Sequence, residues 1–277
     1  MPELPEVETV RQTLKANILG KTIRDVDVFY EKMIHGTDVQ SFVSHLKGQR
    51  LLDIKRYGKY LVFLFDEVAM VSHLRMEGRY FLKHLDLVRD KHEHVIFYFT
   101  DDSTLRYQDT RKFGTMELCD KDDYMSMKGL KKLGQEPIAE EIDYDLVYQK
   151  VKNRKQAIKT VLLDQTVLAG LGNIYVDETL FLSGLRPEKK ASTLRKQDVK
   201  MLVRNSKIVL EKAIKLGGSS IRTYTSSLGV TGRFQNELYV HTRQGEPCKV
   251  CETKILKTKV GGRGTYYCPT CQTFKLS

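Results

Sequence analysis

Tryptophan is absent from the chain, and among 277 residues proline occurs only six times and cysteine only five. Aromatic contacts must therefore come from the 14 tyrosines and 11 phenylalanines. Internal repeats and low-complexity tracts are also lacking, which leaves an ordinary globular composition with 41% hydrophobic residues. That length and composition suffice for two domains with a substantial core. No apolar run approaches the roughly 18 residues needed to span a bilayer, and residues 1–20 lack the basic start and continuous apolar block of a signal peptide. The expectation is a cytoplasmic protein with no membrane partner. Acidic residues are in short supply too: 35 Asp and Glu face 46 Lys and Arg, for a net charge of +11. Such an excess points to a polyanionic partner, nucleic acid first.

The chain falls into differently patterned stretches. An opening helix is expected to end near Gly20. Segments 22–30, 50–55, 60–65, 70–74, 78–82, 95–100 and 104–107 are short, rich in Val, Ile, Leu, Phe and Tyr, and separated by turn-forming residues. They read as the strands of a sandwich or barrel, interrupted by helical periodicity at 39–46. From about residue 122 the pattern becomes helical, at 123–133, 144–151, 157–163, 174–183 and 196–216. A domain boundary is expected near 120–135. Residues 217–236, with four glycines and many Ser and Thr, read as a loop.

Four of the five cysteines form two close pairs, Cys248-x2-Cys251 and Cys268-x2-Cys271, sixteen residues apart. Four thiolates at this spacing close a tetrahedron around zinc and leave no open position, so the predicted site is structural. Between the pairs a hairpin is expected, with residues 261–264 at its tip. Residues 248–275 carry five lysines and one arginine against the single acid Glu252, which suits a finger whose Arg263 contacts phosphate. A solvated charged finger remains the plainer alternative. Cys119 reads as a small buried apolar residue.

The first ten residues allow two readings. Proline at position two permits removal of Met1, which would leave a secondary amine. An α-amino group titrates well below a lysine and could attack an aldehyde-like carbon. More plainly, Pro5 and the acidic residues suit a first helical turn. At about 100° per residue, Leu4, Val7, Val10 and Leu14 share an apolar arc that also contains Glu3, with Glu6 at its edge. A carboxylate on a packed face is costly without work or a partner. Further along, Gly170-Leu171-Gly172-Asn173 lies between helical runs. Asn173 there can cap the next helix while backbone N–H groups donate to a phosphate oxygen; a plain helix-hairpin turn would look the same.

In combination these stretches are more specific. Pro2-Glu3-Leu4-Pro5-Glu6, Arg56-Tyr57-Gly58-Lys59-Tyr60-Leu61, His73-Leu74-Arg75-Met76-Glu77-Gly78, Asp109-Thr110-Arg111-Lys112-Phe113-Gly114, the 170–175 turn and the four-cysteine finger occur in order along the chain. Over nearly its full length the sequence resembles the Fpg/Nei family of bacterial DNA repair enzymes, in its formamidopyrimidine-DNA glycosylase branch. The resemblance implies an α+β fold: an N-terminal β-sandwich domain with an opening α-helix (1–132), a helix-two-turns-helix domain (133–236) containing a lesion-capping loop at about 217–236, and a C-terminal β-hairpin zinc finger (237–277).

The resemblance also implies roles. Pro2, freed of Met1, would attack the sugar of a damaged nucleotide, with Glu3 as acid/base partner and Glu6 in support. Lys59, Asn173 and Arg263 would grip the DNA backbone, assisted by His73, His92 and Tyr239. Met76, Arg111 and Phe113 would fill the hole left by a flipped nucleotide, two apolar wedges and one donor fork. Ser219, Ser220, Thr223 and Tyr224 would close on the lesion. The expected activity is glycosylase with AP lyase on 8-oxoguanine and formamidopyrimidines in duplex DNA, by a monomer that needs one structural zinc and no organic cofactor. One departure is visible: Thr110 stands where many members have proline, which is expected to loosen the turn. The alternatives are the endonuclease VIII branch, acting on oxidised pyrimidines, and a zinc-containing DNA-binding protein without catalysis.

Overall fold

Helix α1 (Leu4–Ile18) begins where the chain can satisfy its first amides internally. Glu3 is the N-cap in extended conformation, and Glu6, in the first turn, accepts the Glu3 N–H at 2.8 Å. This return bond from the first turn is half of a capping box. Leu4, Val7, Val10, Leu14 and Ile18 are all essentially inaccessible; burying each contributes on the order of 1.5–3 kcal/mol.

The computed structural model describes residues 1–219 and 232–273. After α1 come β1 (Ile23–Val28), β2 (Ile34–His35), α2 (Val39–Leu46), β3 (Leu51–Tyr57), β4 (Tyr60–Phe65), β5 (Val68–His73), β6 (Arg79–His84), β7 (Glu93–Phe99), β8 (Ser103–Gln108) and β9 (Thr115–Asp120). They form a four-stranded sheet ordered β1-β7-β8-β6 and a five-stranded sheet ordered β2-β9-β5-β4-β3. One core draws on both: Phe63 and Met70 from one sheet, Tyr80, Phe97 and Leu105 from the other, closed by Val7, Leu14 and Phe42 of the helices. This is the expected sandwich with its opening helix.

After the single turn α3 (Lys128–Lys131), a second set comprises α4 (Tyr144–Val151), α5 (Ile158–Leu163), α6 (Asn173–Leu182), α7 (Lys196–Lys215) and the hairpin β10 (Leu256–Val260) and β11 (Arg263–Tyr267). The chain divides into two compact units. The first is Met1–Lys131 with the described ends of the segment Gly217–Gly232; the second is Lys132–Leu216 with residues from Arg233 onward. In the second, Phe181 of α6, Val240, Ile255, Cys248 and Cys268 share a small core, so the finger is packed onto a helix. Among the described residues no helix is long and apolar enough to cross a membrane.

Two expectations need correction. The helix expected over 123–133 is a 3-10 turn at Tyr124–Ser126 followed by the single turn Lys128–Lys131. Met127, extended at ψ 137, breaks the run, and only Leu130 of α3 is buried, too small an apolar face to hold a longer helix. Strand β9 was not expected, because Met116 is its one fully buried residue and the rest of its pattern is half-exposed. Its place comes from pairing with β5 from Val68↔Asp120 to His73↔Thr115.

Candidate active site

In the first unit the chain start is buried. Pro2 is buried, Glu3 is 3% exposed and Glu6 is 4% exposed, while Met1 lies at the surface. Glu6 uses its two carboxylate oxygens differently: Oε2 accepts the Glu3 N–H at 2.8 Å and Oε1 accepts the Ser219 N–H at 2.7 Å. The helix start and the 217–219 segment thus share one carboxylate. Ser219 is itself buried. Ser220, Thr223 and Tyr224, expected to cap the lesion, lie outside the described residues.

The neighbouring Glu8 ties α1 to the turn that carries Lys59. Its carboxylate meets Arg56 Nε at 3.0 Å, and Arg56 Nη1 donates to the Gly58 carbonyl at 3.0 Å. Burial would raise the Glu8 carboxyl, but hydrogen bonds from Arg11 and Gln12 and the charges of Arg11 and Arg56 together hold it below its ordinary value. Glu8 is therefore an anion, and its work is to orient. Lys59, in the β3–β4 turn, is only 5% exposed, and His73 at the end of β5 only 8%. Burial first, then the positive charges of Arg75 and Lys59, push the His73 imidazole down to about 3. It is neutral near pH 7, with Nδ1 accepting the Arg75 N–H at 2.9 Å, so its proton sits on Nε2.

The residues expected to fill a DNA void lie on two loops. Phe113 is 51% exposed, Arg111 is exposed and Met76 half-buried, so none of the three is core. The Arg111 guanidinium lies 4.8 Å from the Phe113 ring centroid. Buried Asp109 shapes their loop, its carboxylate accepting the N–H groups of Arg111 at 2.9 Å, Phe113 at 2.9 Å and Gly114 at 2.8 Å. Its backbone N–H donates to the His92 carbonyl at 3.0 Å and its carbonyl accepts from His94 Nε2 at 2.9 Å. Half-buried His92 is thereby fixed to the same loop. The Thr110 hydroxyl in this turn donates to the Glu77 carboxylate. The role of Asp109 was missed, although an Asp two residues ahead of a turn is a recognisable signal.

In the second unit Asn173 is not the helix cap. Gly172 occupies that position, and Asn173 begins α6 with its Nδ2 donating to the Gly264 carbonyl at 3.0 Å. A hairpin acceptor has drawn the amide away from the helix amides. The same carbonyl accepts Lys159 Nζ at 3.0 Å, and fully buried Lys159 also meets Asp177 Oδ1 at 2.7 Å. Asp177 Oδ2 faces His241 Nδ1 at 2.8 Å. Next to it, buried Glu178 accepts three successive N–H groups, from Tyr239 at 2.8 Å, Val240 at 3.0 Å and His241 at 2.9 Å. Burial nonetheless leaves its carboxyl raised. This network holds half-buried Tyr239, stacked 5.0 Å from Phe181, and the hairpin on which Arg263 is exposed. It was invisible in sequence, since apart from the Lys159–Asp177 pair its partners lie 61 to 105 residues apart.

The four cysteine sulfurs all lie within 4.8 Å of one another, with Cys248 to Cys271 at 3.8 Å and Cys251 to Cys268 at 3.4 Å. Sulfurs about 2.3 Å from a tetrahedral zinc stand about 3.8 Å apart, so the cluster fits one ion as the sequence predicts.

Three family models match in order: the formamidopyrimidine-DNA glycosylase N-terminal domain over residues 1–116, its H2TH domain over 133–225, and the zinc finger found in FPG and IleRS over 245–273. A formamidopyrimidine-DNA glycosylase of Shouchella clausii is 51% identical over 98% of this chain and 99% of its own length. One from Exiguobacterium sibiricum is 49% identical with both chains covered in full. Among solved structures, a Lactococcus lactis FPG mutant in complex with a Fapy-dG containing DNA matches with a TM-score of 0.93 at 46% identity, covering 98% of this chain and 100% of its own. The L. lactis enzyme in complex with an abasic site containing DNA matches with a TM-score of 0.91 at 45% identity, covering 98% and 99%. Matched along essentially its whole length in sequence and in fold, the chain belongs to the formamidopyrimidine-DNA glycosylase family.

Proposed function

We propose that this DNA repair glycosylase excises 8-oxoguanine and formamidopyrimidines from duplex DNA and then cleaves the strand as an AP lyase, using Pro2 as nucleophile. With Met1 attached the Pro2 nitrogen is an amide; methionine removal converts it to a secondary amine. That nitrogen attacks C1′ and gives up its proton, the glycosidic bond breaks with the departing base taking up a proton, and the C1′–O4′ bond then opens with O4′ protonated. The resulting iminium acidifies the adjacent sugar carbon, so β- and δ-elimination expel the 3′ and 5′ phosphates in turn, and water releases the sugar fragment. Glu3 moves protons at the sugar, and Glu6 holds the Glu3 backbone in place. Lys59 and His73 in the first unit, and Asn173, Tyr239 and Arg263 in the second, contact phosphates. Met76, Arg111 and Phe113 replace the flipped nucleotide, His92 assists the grip on the DNA backbone, and the 217–236 segment closes over the lesion. In domain terms, 1–132 is catalytic, 133–236 is the helix-two-turns-helix domain and 237–277 the finger, in a cytoplasmic monomer acting at the nucleoid.

The observation that carries this reading is the buried Pro2-Glu3-Glu6 start, in which two carboxylates 3% and 4% exposed lie one and four residues from the amine position. A DNA-binding protein without catalysis has no use for so costly an arrangement. The test is borohydride trapping on an 8-oxoguanine duplex, followed by peptide mass spectrometry. A covalent adduct on Pro2 is expected; no adduct, or one elsewhere, overturns the mechanism. A parallel duplex carrying an oxidised pyrimidine separates this specificity from that of the endonuclease VIII branch.

A further inference from the structure

The two loops carrying Met76 and the Arg111/Phe113 pair meet around one buried side chain. Tyr107, fully buried at the end of β8, places its phenol oxygen against both Gly78 and Gly114, where a side-chain carbon on either glycine would overlap it. Those glycines close the 74–78 and 109–114 loops, so the ring sets the distance between them. Each loop also holds a non-glycine residue in the left-handed region, Arg75 at φ 53° and Lys112 at φ 57°. Such a backbone persists only where its surroundings over-determine it. Asp109 supplies that within the second loop, but its carboxylate bonds do not reach the first. A direct side-chain hydrogen bond between the loops is that from the Thr110 hydroxyl to the Glu77 carboxylate. Glu77 adjoins Met76 and Thr110 adjoins Arg111, so this bond spans the two halves of the wedge.

We propose that Thr110 and Glu77 are a positioning pair that locks the Met76 loop to the Arg111/Phe113 loop before DNA arrives. The proposal rests on the void-filling role of those three residues. An apolar wedge must displace a stacked base along a fixed line, so independent motion of its halves lowers the fraction of encounters that succeed. Both members of the pair are exposed in the free protein and neither belongs to a core, so their replacement leaves the fold intact.

The test is a double-mutant cycle on single-turnover excision of 8-oxoguanine opposite cytosine, with strand cleavage at a single-stranded abasic site as the control that requires no void to be filled. Thr110→Val and Glu77→Ala are each expected to slow duplex excision about 3- to 10-fold, the range for the net worth of one typical hydrogen bond. The double variant should be no slower than the slower single, Thr110→Ser and Glu77→Gln should retain excision, and cleavage of the single-stranded site should be unchanged. Additive effects, or equal loss on both substrates, overturn the pairing. Phe113→Ala and Met76→Ala separate the levels: if both retain duplex excision, the void-filling reading fails, whereas their loss of excision alongside an uncoupled Thr110/Glu77 pair rejects only the clamp.

Discussion

Glu6 and Ser219 are separated by 213 residues in sequence, yet the Ser219 N–H donates to the Glu6 carboxylate at 2.7 Å. The other oxygen of that carboxylate holds the Glu3 N–H, so the start of α1 and the 217–219 segment depend on the same group. A carboxylate is suited to this because it accepts at two oxygens and donates at none.

Replacing Glu6 with Gln keeps one oxygen for two buried donors and turns an NH2 toward the other. The unsatisfied amide costs about 1–3 kcal/mol, which thermal denaturation should register as a lowered Tm. Hydrogen exchange at the Ser219 amide should accelerate, and duplex excision should fall with it. Unchanged exchange at Ser219 would show that the contact holds nothing in place.

Glu3→Gln preserves size and hydrogen-bonding capacity while removing proton transfer. Binding to lesion duplex should remain near wild type, and base excision should drop by roughly 10²–10⁴-fold, the range for general acid–base catalysis. Comparable excision rates in single-turnover assays would remove Glu3 from the mechanism.

His73 makes stability depend on pH. Its folded value of about 3 lies below the unfolded value near 6.5, so the unfolded chain takes up a proton first as the pH falls. Its contribution is complete above about pH 6.5 and is lost progressively down toward pH 3, at about 1.4 kcal/mol per pH unit. Urea denaturation between pH 7 and pH 5 should therefore show a steeper loss for the wild type than for His73→Gln. Parallel profiles would contradict the burial argument.

Removal of zinc acts on the second unit. Without an ion the four sulfurs lose the bond that closes the finger, and Arg263, on the hairpin between the cysteine pairs, loses its support. After metal loss verified by elemental analysis, duplex affinity should fall at least about tenfold, the equivalent of one or two phosphate contacts. Borohydride trapping at a single-stranded abasic site should persist, because Pro2 chemistry involves no cysteine. Undiminished affinity would exclude the finger from the DNA-binding surface.

Local chemistry wrote much of this protein into its sequence. The apolar arc of α1, the helix at Val39–Leu46, the strand at Tyr60–Phe65 and the cysteine spacing were all legible, because each depends on residues within a few positions of one another. Periodicity placed Glu3 on the packed face of α1, while the order of motifs supplied the family and with it the roles expected of Pro2 and Lys59. Tertiary structure decided what local pattern could not. β9 exists because β5 offers it a partner, and Asn173 faces the Gly264 carbonyl 91 residues away rather than its own helix end. Glu6 reaches Ser219, Glu178 gathers the amides of 239–241, and Thr110 meets Glu77. In each case a polar group found its partner across a long stretch of chain, and only the packed backbone brings such groups within hydrogen-bonding distance.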